Sequence, residues 1–533
     1  MRDNQIFCVL LGHEYVHEVQ VITQIFFANS RFAFGEEVPP DGYAVMSRLE
    51  NKAGVVCSGE LYLDGQKVSD CALIASEDQQ DNILGAPENL LSVKVIKRTL
   101  MLALFHALKE ATGQSTPWGA LVGVRPAKQV RIWLEEGKSE AGIARCLSQV
   151  YQCREDKIQL AIAVAQAEKN LIIQQNQKKP GVGLYIGIPF CPSRCLYCSF
   201  VAAQKAGPDA HKRYLAALAK ECEMMAAVQL KEVQENGQVV NAVYIGGGTP
   251  TALSEADLAV LLDMVERFFR PFMEEAEYTV EAGRPDSITR EKLTLLKAYG
   301  VNRIAINPQT LNDETLIRIG RGHTSRDFYK AYEMAQQSGF TNINTDIIAG
   351  LPGEGPEDMA YTMEGLKKLA PAHITVHTLA IKRASRLLEE LTSSKHEQAL
   401  TKVLPKPWPD TTCRASQEYR LYHSAEDCET IDNMLSIAQE ACQDLGLSPY
   451  YMYRQKNMLG HFENVGYSLP GCESIYNVAM MAETQTVFAA GAGGVTKFVS
   501  FEQEDSLHEG PLITRTFNPK NVETYIERME MKS

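Results

Sequence analysis

At 533 residues the chain exceeds what one hydrophobic core supports, so several domains are expected; 45% hydrophobic and 22% charged residues are ordinary globular values. A net charge of -13 excludes a broad nucleic-acid surface, which needs lysine and arginine to displace counterions from phosphates. Met1 to Gln20 has no basic head followed by an apolar signal core, and the longest helical apolar patch, Leu100 to Leu108, is too short for a bilayer; a cytoplasmic protein without a membrane span is expected.

Residues 1–82 alternate apolar and polar over short runs and read as a small strand-rich domain. Asp64-Gly65 between Glu60–Leu63 and Gln66–Val68 predicts a type I′ hairpin. Residues 83–179 change to a helical period, with Leu90, Val93, Ile96, Leu100, Leu104 and Leu108 on one face, followed by helices over Ala141–Val150 and Asp156–Leu171. The turn-rich segment Pro117 to Pro126 is either a packed connection or a place where Arg125 and Lys128 face an anion.

After the polar boundary Gln174–Gly183, residues 180–385 alternate strand and helix. Predicted strands are Leu184–Ile188, Ala242–Ile245, Glu277–Val280, Arg303–Ile306, Thr341–Ile348 and His373–Thr378, with amphipathic helices between them. Apolar strands joined by helices imply right-handed crossovers and parallel pairing. Six units fall short of eight, so the fold class is α/β, a partial (β/α)6 TIM-like barrel, with a doubly wound open sheet as the alternative. An N-terminal α+β region precedes it. Past the polar linker Thr392–Asp410, residues 386–533 read as a mainly helical C-terminal domain, with helices over Ser416–Leu447 and Asn521–Met531.

The most distinctive stretch is Cys191-Pro-Ser-Arg-Cys195-Leu-Tyr-Cys198, directly after the first barrel strand. Three thiolates on one tight loop favour iron-sulfur chemistry or zinc over hard cations. The missing fourth ligand is informative, because a three-cysteine cluster leaves one iron open whereas a structural zinc site is closed. The chain's other cysteines are scattered and read as small buried hydrophobes, since a reducing compartment disfavours disulfides.

Other chemistry-bearing groups also follow predicted strands: Gly246-Gly-Gly-Thr-Pro250, Glu281-Ala-Gly-Arg-Pro285 and Asn307-Pro-Gln309, while the fifth strand contains Asp346 and ends at Gly350-Leu-Pro-Gly353. Gly320-Arg-Gly-His323 lies between the fourth and fifth strands. Parallel α/β folds place active sites at the carboxyl ends of their strands, so these groups should converge.

The cysteine loop and glycine triplet resemble the signatures of radical SAM enzymes. Within that superfamily, Tyr185-Ile-Gly-Ile-Pro-Phe-Cys191, Gly246-Gly-Gly-Thr-Pro-Thr251, Ile343-Asn-Thr-Asp346 and Ala349-Gly-Leu-Pro352 are similar to oxygen-independent coproporphyrinogen III oxidases. The first 180 residues, Tyr450–Asn457 and Pro470–Asn477 resemble the coproporphyrinogen dehydrogenase branch, HemZ. The resemblance implies a 4Fe-4S cluster on Cys191, Cys195 and Cys198 and S-adenosyl-L-methionine (SAM) as cofactors. It places Tyr185, Tyr197, Gly247, Gly248, Thr249, Glu281, Gln309, Arg321, Asp346 and Ala380 around SAM, with Tyr185 also catalytic. The implied reaction is oxidative decarboxylation of coproporphyrinogen III propionates to vinyl groups, giving protoporphyrinogen IX, with an electron donor protein as partner. A haem chaperone or a radical SAM enzyme on another tetrapyrrole is the alternative. For the tetracarboxylate substrate, Lys382, Arg383, Arg454 and Lys456 are the cationic candidates. Two positions depart from the family: Gly187 stands where the oxidases carry histidine, and Phe200 where they carry a further cysteine.

Overall fold

The computed structural model describes residues 5–27, 30–51, 54–75, 93–123, 125–199, 203–204, 207–382, 385–387, 425–455, 458–500 and 511–531. The chain divides into two compact units. The first comprises residues 1–162, 391–432 and 454–463, the second residues 163–390, 433–453 and 464–533.

In the first unit, β1 (Gln5–Leu11), β2 (Arg31–Gly35), β3 (Tyr43–Asn51), β4 (Val55–Leu63) and β5 (Gln66–Ala75) form a sheet in the order β2-β1-β3-β4-β5. Asp64 and Gly65 both adopt positive φ, 50° and 73°, which gives the predicted β4–β5 turn a twist matching its strands. Two helices cover the sheet, α1 (Val16–Phe26) and α2 (Val93–Thr112). The sequence reading has no helix at α1: its valines and isoleucines suit strands, yet Val19, Ile22, Thr23 and Phe26 recur at helical spacing and are buried. Ile22, Phe26, Leu104, Phe105 and Leu108 pack on Ile6, Cys8, Val45 and Leu61, each contributing on the order of 1.5–3 kcal/mol for the large apolar side chains. Gly59 lets α2 lie against β4, since a Cβ there would stand 2.4 Å from the Leu104 Cα. Helices α3 (Pro126–Glu135), α4 (Glu140–Gln149) and the start of α5 (Glu155–Asn176) complete the unit.

The second unit is built on β6 (Gly181–Ile188), followed by the short strands β7 (Phe190–Cys191) and β8 (Ala203–Gln204), which pair with each other. Then come β9 (Val239–Gly247), β10 (Met273–Glu281), β11 (Arg303–Ala305), β12 (Ile343–Ala349) and β13 (His373–Thr378). All six predicted barrel strands are present, and β6-β9-β10-β11-β12-β13 are adjacent, parallel and in sequence order. Strand order without reversal is that of a partial barrel, whereas a doubly wound sheet would reverse at a switch point. The crossovers run through α6 (Pro208–Met225) with its continuation α7 (Lys231–Glu235), α8 (Glu255–Phe268), α9 (Arg290–Ala298), α10 (Asp313–Arg318) with α11 (Ser325–Gln337), and α12 (Pro356–Leu369). Ser254, Thr289, Asn312 and Thr324 cap four of these helices through their side-chain oxygens, satisfying amides that a helix start leaves unpaired.

The C-terminal residues, expected as mainly helical, carry α13 (Ala425–Asp444), α14 (Ile475–Ala482) and α15 (Val522–Glu530) but also five strands of the same sheet. These are β14 (Ser448–Tyr453), β15 (Asn464–Ser468), β16 (Val487–Ala490), β17 (Val495–Ser500) and β18 (Leu512–Phe517). Strand β15 adds antiparallel to β13 at one side; β16 adds parallel to β6 at the other. These strands are four to six residues long and interrupted by helix, so their two-residue period is hard to see. The helix expected from Ser416 begins outside the described residues.

Candidate functional site

The cysteine loop starts where β6 ends and is held from several sides. Leu196 N donates to the Ile319 carbonyl, at the end of α10, and Leu387 N donates to the Leu196 carbonyl. Cys191, Cys195 and Cys198 are not joined in disulfides. Cys191 Sγ lies 3.5 Å from Thr249 Oγ1, and burial pushes its thiol up, opposed by that contact. Buried Cys195 faces two guanidinium groups, with Arg284 Nη1 and Arg321 Nη1 each 3.8 Å from its sulfur. Tyr197 packs into the same loop, its phenol pushed well up by burial and by Cys195.

The glycine triplet serves close approach. Gly248 N donates to the Ile188 carbonyl and Thr249 N to the Phe190 carbonyl, both at 2.7 Å. A Cβ on Gly248 would sit 2.5 Å from the Phe190 oxygen, so only glycine lets the triplet press against the strand feeding the cysteines. Gly247 has φ 111° and its N–H donates to Glu281 Oε2 at 3.0 Å. The triplet's amides are thus taken up inside the protein rather than presented to a ligand.

Glu281 ends β10. Its Oε1 accepts from Tyr244 Oη at 2.5 Å, and burial pushes its carboxyl up despite that bond and the Gly247 amide. Tyr185, Tyr244 and Tyr476 stack alongside, Tyr244 and Tyr476 with ring centroids 4.4 Å apart. Tyr476 is aimed by Glu277, whose carboxylate accepts from Ser474 Oγ and from the Ile475 and Tyr476 amides at the start of α14.

Asp346 carries the opposite character. Burial disfavours its charge, yet His377, 3.7 Å away, together with Asn344 and Thr375 holds its carboxyl below the usual range. Asn307 and Asn344 donate to its two oxygens at 2.8 and 2.7 Å. Gln309 is buried with φ 70°, a left-handed conformation that costs a residue other than glycine roughly 1–3 kcal/mol. Its N–H donates to the Asp346 carbonyl and its carbonyl accepts from Ile348 N, which keeps it beside β12. Arg321 Nη2 donates to the Gly283 and Asn307 carbonyls, while its Nε is buried without a hydrogen-bond partner. Ala380 follows β13, half-buried.

Gly187 now has a physical setting. A Cβ there would stand 3.2 Å from the Ala492 carbonyl oxygen, because β16 and the turn after it lie along β6. The Gly187 carbonyl accepts from Tyr214 Oη at 2.6 Å. A side chain at this position would therefore press on the C-terminal chain.

Among the substrate candidates, Lys382 is half-buried; burial lowers its ammonium, and the Cys198 sulfur opposes this. Arg454 belongs to the first unit, where it donates to the Leu121 carbonyl at 2.7 Å. Arg125 starts α3 in that unit and Lys128 lies within it. Arg383, Lys456 and Phe200 lie outside the described residues. Sequence reasoning passed over Arg284, Tyr244, Tyr476 and His377. Arg284 and Tyr476 stand inside quoted stretches that gave them no role, and Tyr244 and His377 read as strand residues.

Among the described residues no three His, Cys, Asp or Glu side chains are already gathered into a metal cage. The donor set nevertheless fits an iron-sulfur cluster: three soft thiols on one loop, none in a disulfide, with two guanidinium groups to offset thiolate charge. A SAM-sized zwitterion is matched by the unpartnered Arg321 Nε, the charged Asp346 and the under-charged Glu281.

The radical SAM superfamily model matches residues 185–366. The oxygen-independent coproporphyrinogen-III oxidase-like protein HemZ of Bacillus subtilis is 33% identical over 513 residues, 96% of this chain and 93% of that one. The chain belongs to this HemZ-like family of radical SAM proteins. The family uses a 4Fe-4S cluster and SAM. The haem chaperone HemW of Bacillus subtilis is 37% identical over 200 residues, covering 37% of this chain and half of that relative. Coproporphyrinogen III oxidase (HemN) from Escherichia coli superposes with a TM-score of 0.48 at 20% identity, over 66% of this chain and 70% of that one. Among the described residues no helix is long and apolar enough to cross a membrane.

Proposed function

We propose that this chain oxidatively decarboxylates the propionates of coproporphyrinogen III to vinyl groups, giving protoporphyrinogen IX in anaerobic porphyrin synthesis in the cytoplasm. The observation that carries the reading is the extent of the likeness to HemZ, which spans both units rather than the barrel alone. When bound, the cluster and SAM supply one-electron cleavage of a carbon–sulfur bond and removal of a hydrogen atom from substrate. The protein's own groups divide the remaining work. Asp346 stays anionic and suits hydroxyls or a positive charge, whereas Arg321 offers Nε to a carboxylate. Glu281 is poised to ionise when an ammonium arrives beside it, because that charge would offset the burial that raises its pKa. The stacked faces of Tyr185, Tyr244 and Tyr476 exclude water from this end of the sheet. Lys382 is the described cation we assign to a propionate, and an electron donor protein must deliver the reducing electron.

A second reading, haem binding, draws on the barrel's likeness to HemW and on the missing side chain at Gly187. Anaerobic reconstitution with SAM, a reductant and coproporphyrinogen III separates the two. Vinyl product together with 5′-deoxyadenosine is expected. Formation of 5′-deoxyadenosine without vinyl product overturns the decarboxylase, and tight haem binding without SAM cleavage supports the second reading.

A further inference from the structure

The Arg284 guanidinium is 2% exposed, although an isolated buried cation is costly. Its placement is fully determined. Nε and Nη2 form a two-pronged pair with Asp286, both bonds at 2.9 Å, on the side away from the sulfur. Nη1 donates to Ser193 Oγ at 3.1 Å and to Cys195 Sγ at 3.8 Å, and Nη2 also reaches Ser193 Oγ at 3.1 Å. Gly322 is shaped around this fork: a Cβ there would meet Asp286 Oδ2 at 2.8 Å and Arg284 Nη2 at 3.1 Å. The loop after β10, the cysteine loop and the segment between α10 and α11 are therefore locked together through one arginine. Arg321 touches the same sulfur but has an unpartnered Nε for a ligand, whereas every nitrogen of Arg284 is engaged by protein.

We infer that Arg284 is a positioning residue that acts through Cys195: it fixes the middle cluster ligand and raises the reduction potential of the bound cluster. This rests on the assignment of the cysteine loop to a cluster and is independent of which tetrapyrrole the protein takes. Hydrogen bonds to ligand sulfurs and nearby positive charge stabilise the reduced, more negative cluster, so removing both should make reduction harder. Asp286 is bound on the face remote from Cys195, so the pair presents its positive end to the sulfur.

The test compares wild type with Arg284→Gln and Arg284→Lys in reconstituted full-length protein without substrate, measuring iron content and the cluster's midpoint potential by EPR-monitored redox titration. For Arg284→Gln the expected result is full iron with a one-electron equilibrium at least tenfold less favourable, a shift of about 59 mV to more negative potential. Arg284→Lys keeps the charge and should recover most of that shift. An unchanged potential in Arg284→Gln, or equal shifts in both variants, overturns the inference. Loss of iron in both variants makes Arg284 only a scaffold for the loop and overturns it too. Failure of wild type to hold a cluster sinks the cysteine-loop assignment itself, a result distinct from any failure of vinyl formation.

Discussion

Two buried charge clusters, one in each unit, show opposite designs. In the first unit, Lys157 Nζ and Trp118 Nε1 each donate to Glu463 at 2.7 Å, and all three residues are buried. Every charge there has a protein partner. In the second unit, Glu281 is held with its pKa raised, Arg321 has a buried nitrogen without a partner and Gln309 is kept in a strained conformation. A closed network specifies a fold; an open one holds binding capacity in reserve, and its shortfall is made good only by a ligand. The contrast distinguishes a structural polar cluster from a functional one without reference to any relative.

The contrast can be broken most sharply at the cysteines. Cys195→Ala should abolish iron-sulfur absorbance and SAM cleavage while leaving the urea midpoint close to wild type, because the thiol serves the cluster; retained absorbance would reverse that assignment. In the first unit the reverse pattern is expected. Lys157→Met leaves Glu463 buried without its cation, and should cost about 3–5 kcal/mol in urea unfolding. Unaltered stability there would mean that the closed network is not structural.

Next in size is Glu281→Gln. Its amide oxygen can still accept from Gly247 N, and its NH2 can donate to the Tyr244 hydroxyl, but it cannot ionise beside an ammonium, so SAM affinity should fall by roughly ten- to a hundredfold by calorimetry on the loaded protein, with little loss of stability. Equal affinity would remove Glu281 from the SAM site. A further expected effect concerns pH. Burial and then Arg321 lower His323 to about 3, with Asp286 opposing and Arg284 assisting. Between pH 6.5 and about 3 the unfolded chain therefore binds the extra proton, so stability is fully present above that window and falls as the pH drops, by about 1.4 kcal/mol per unit. His323→Leu should flatten this slope in acid unfolding curves; an unchanged slope would place the titration elsewhere.

Much of the site was legible because parallel strands deliver residues to one end. Cys191, Gly246–Gly248, Glu281 and Gln309 each sit at or just past a strand end and Asp346 lies within β12, and strand runs of apolar residues are visible in sequence. Arg284 was quoted in its motif without a role, because nothing local says that its side chain turns to a loop 90 residues earlier. Tyr476 stood in the quoted segment Pro470–Asn477 without a role for the same reason: its place in the stack depends on α14 docking on Glu277.

The sequence by itself determined where the six barrel strands lie along the chain, the β4–β5 hairpin and the cysteine loop, since each rests on short-range patterns of hydrophobicity, turn geometry and ligand spacing. Tertiary structure alone decided that the C-terminal strands extend the barrel sheet, that β16 and its turn occupy the space beside Gly187, and that two arginines meet on Cys195. Those outcomes depend on close approach between segments far apart in the chain, where a missing Cβ or one buried guanidinium decides the fit, and no local pattern in a single sequence encodes such a distance.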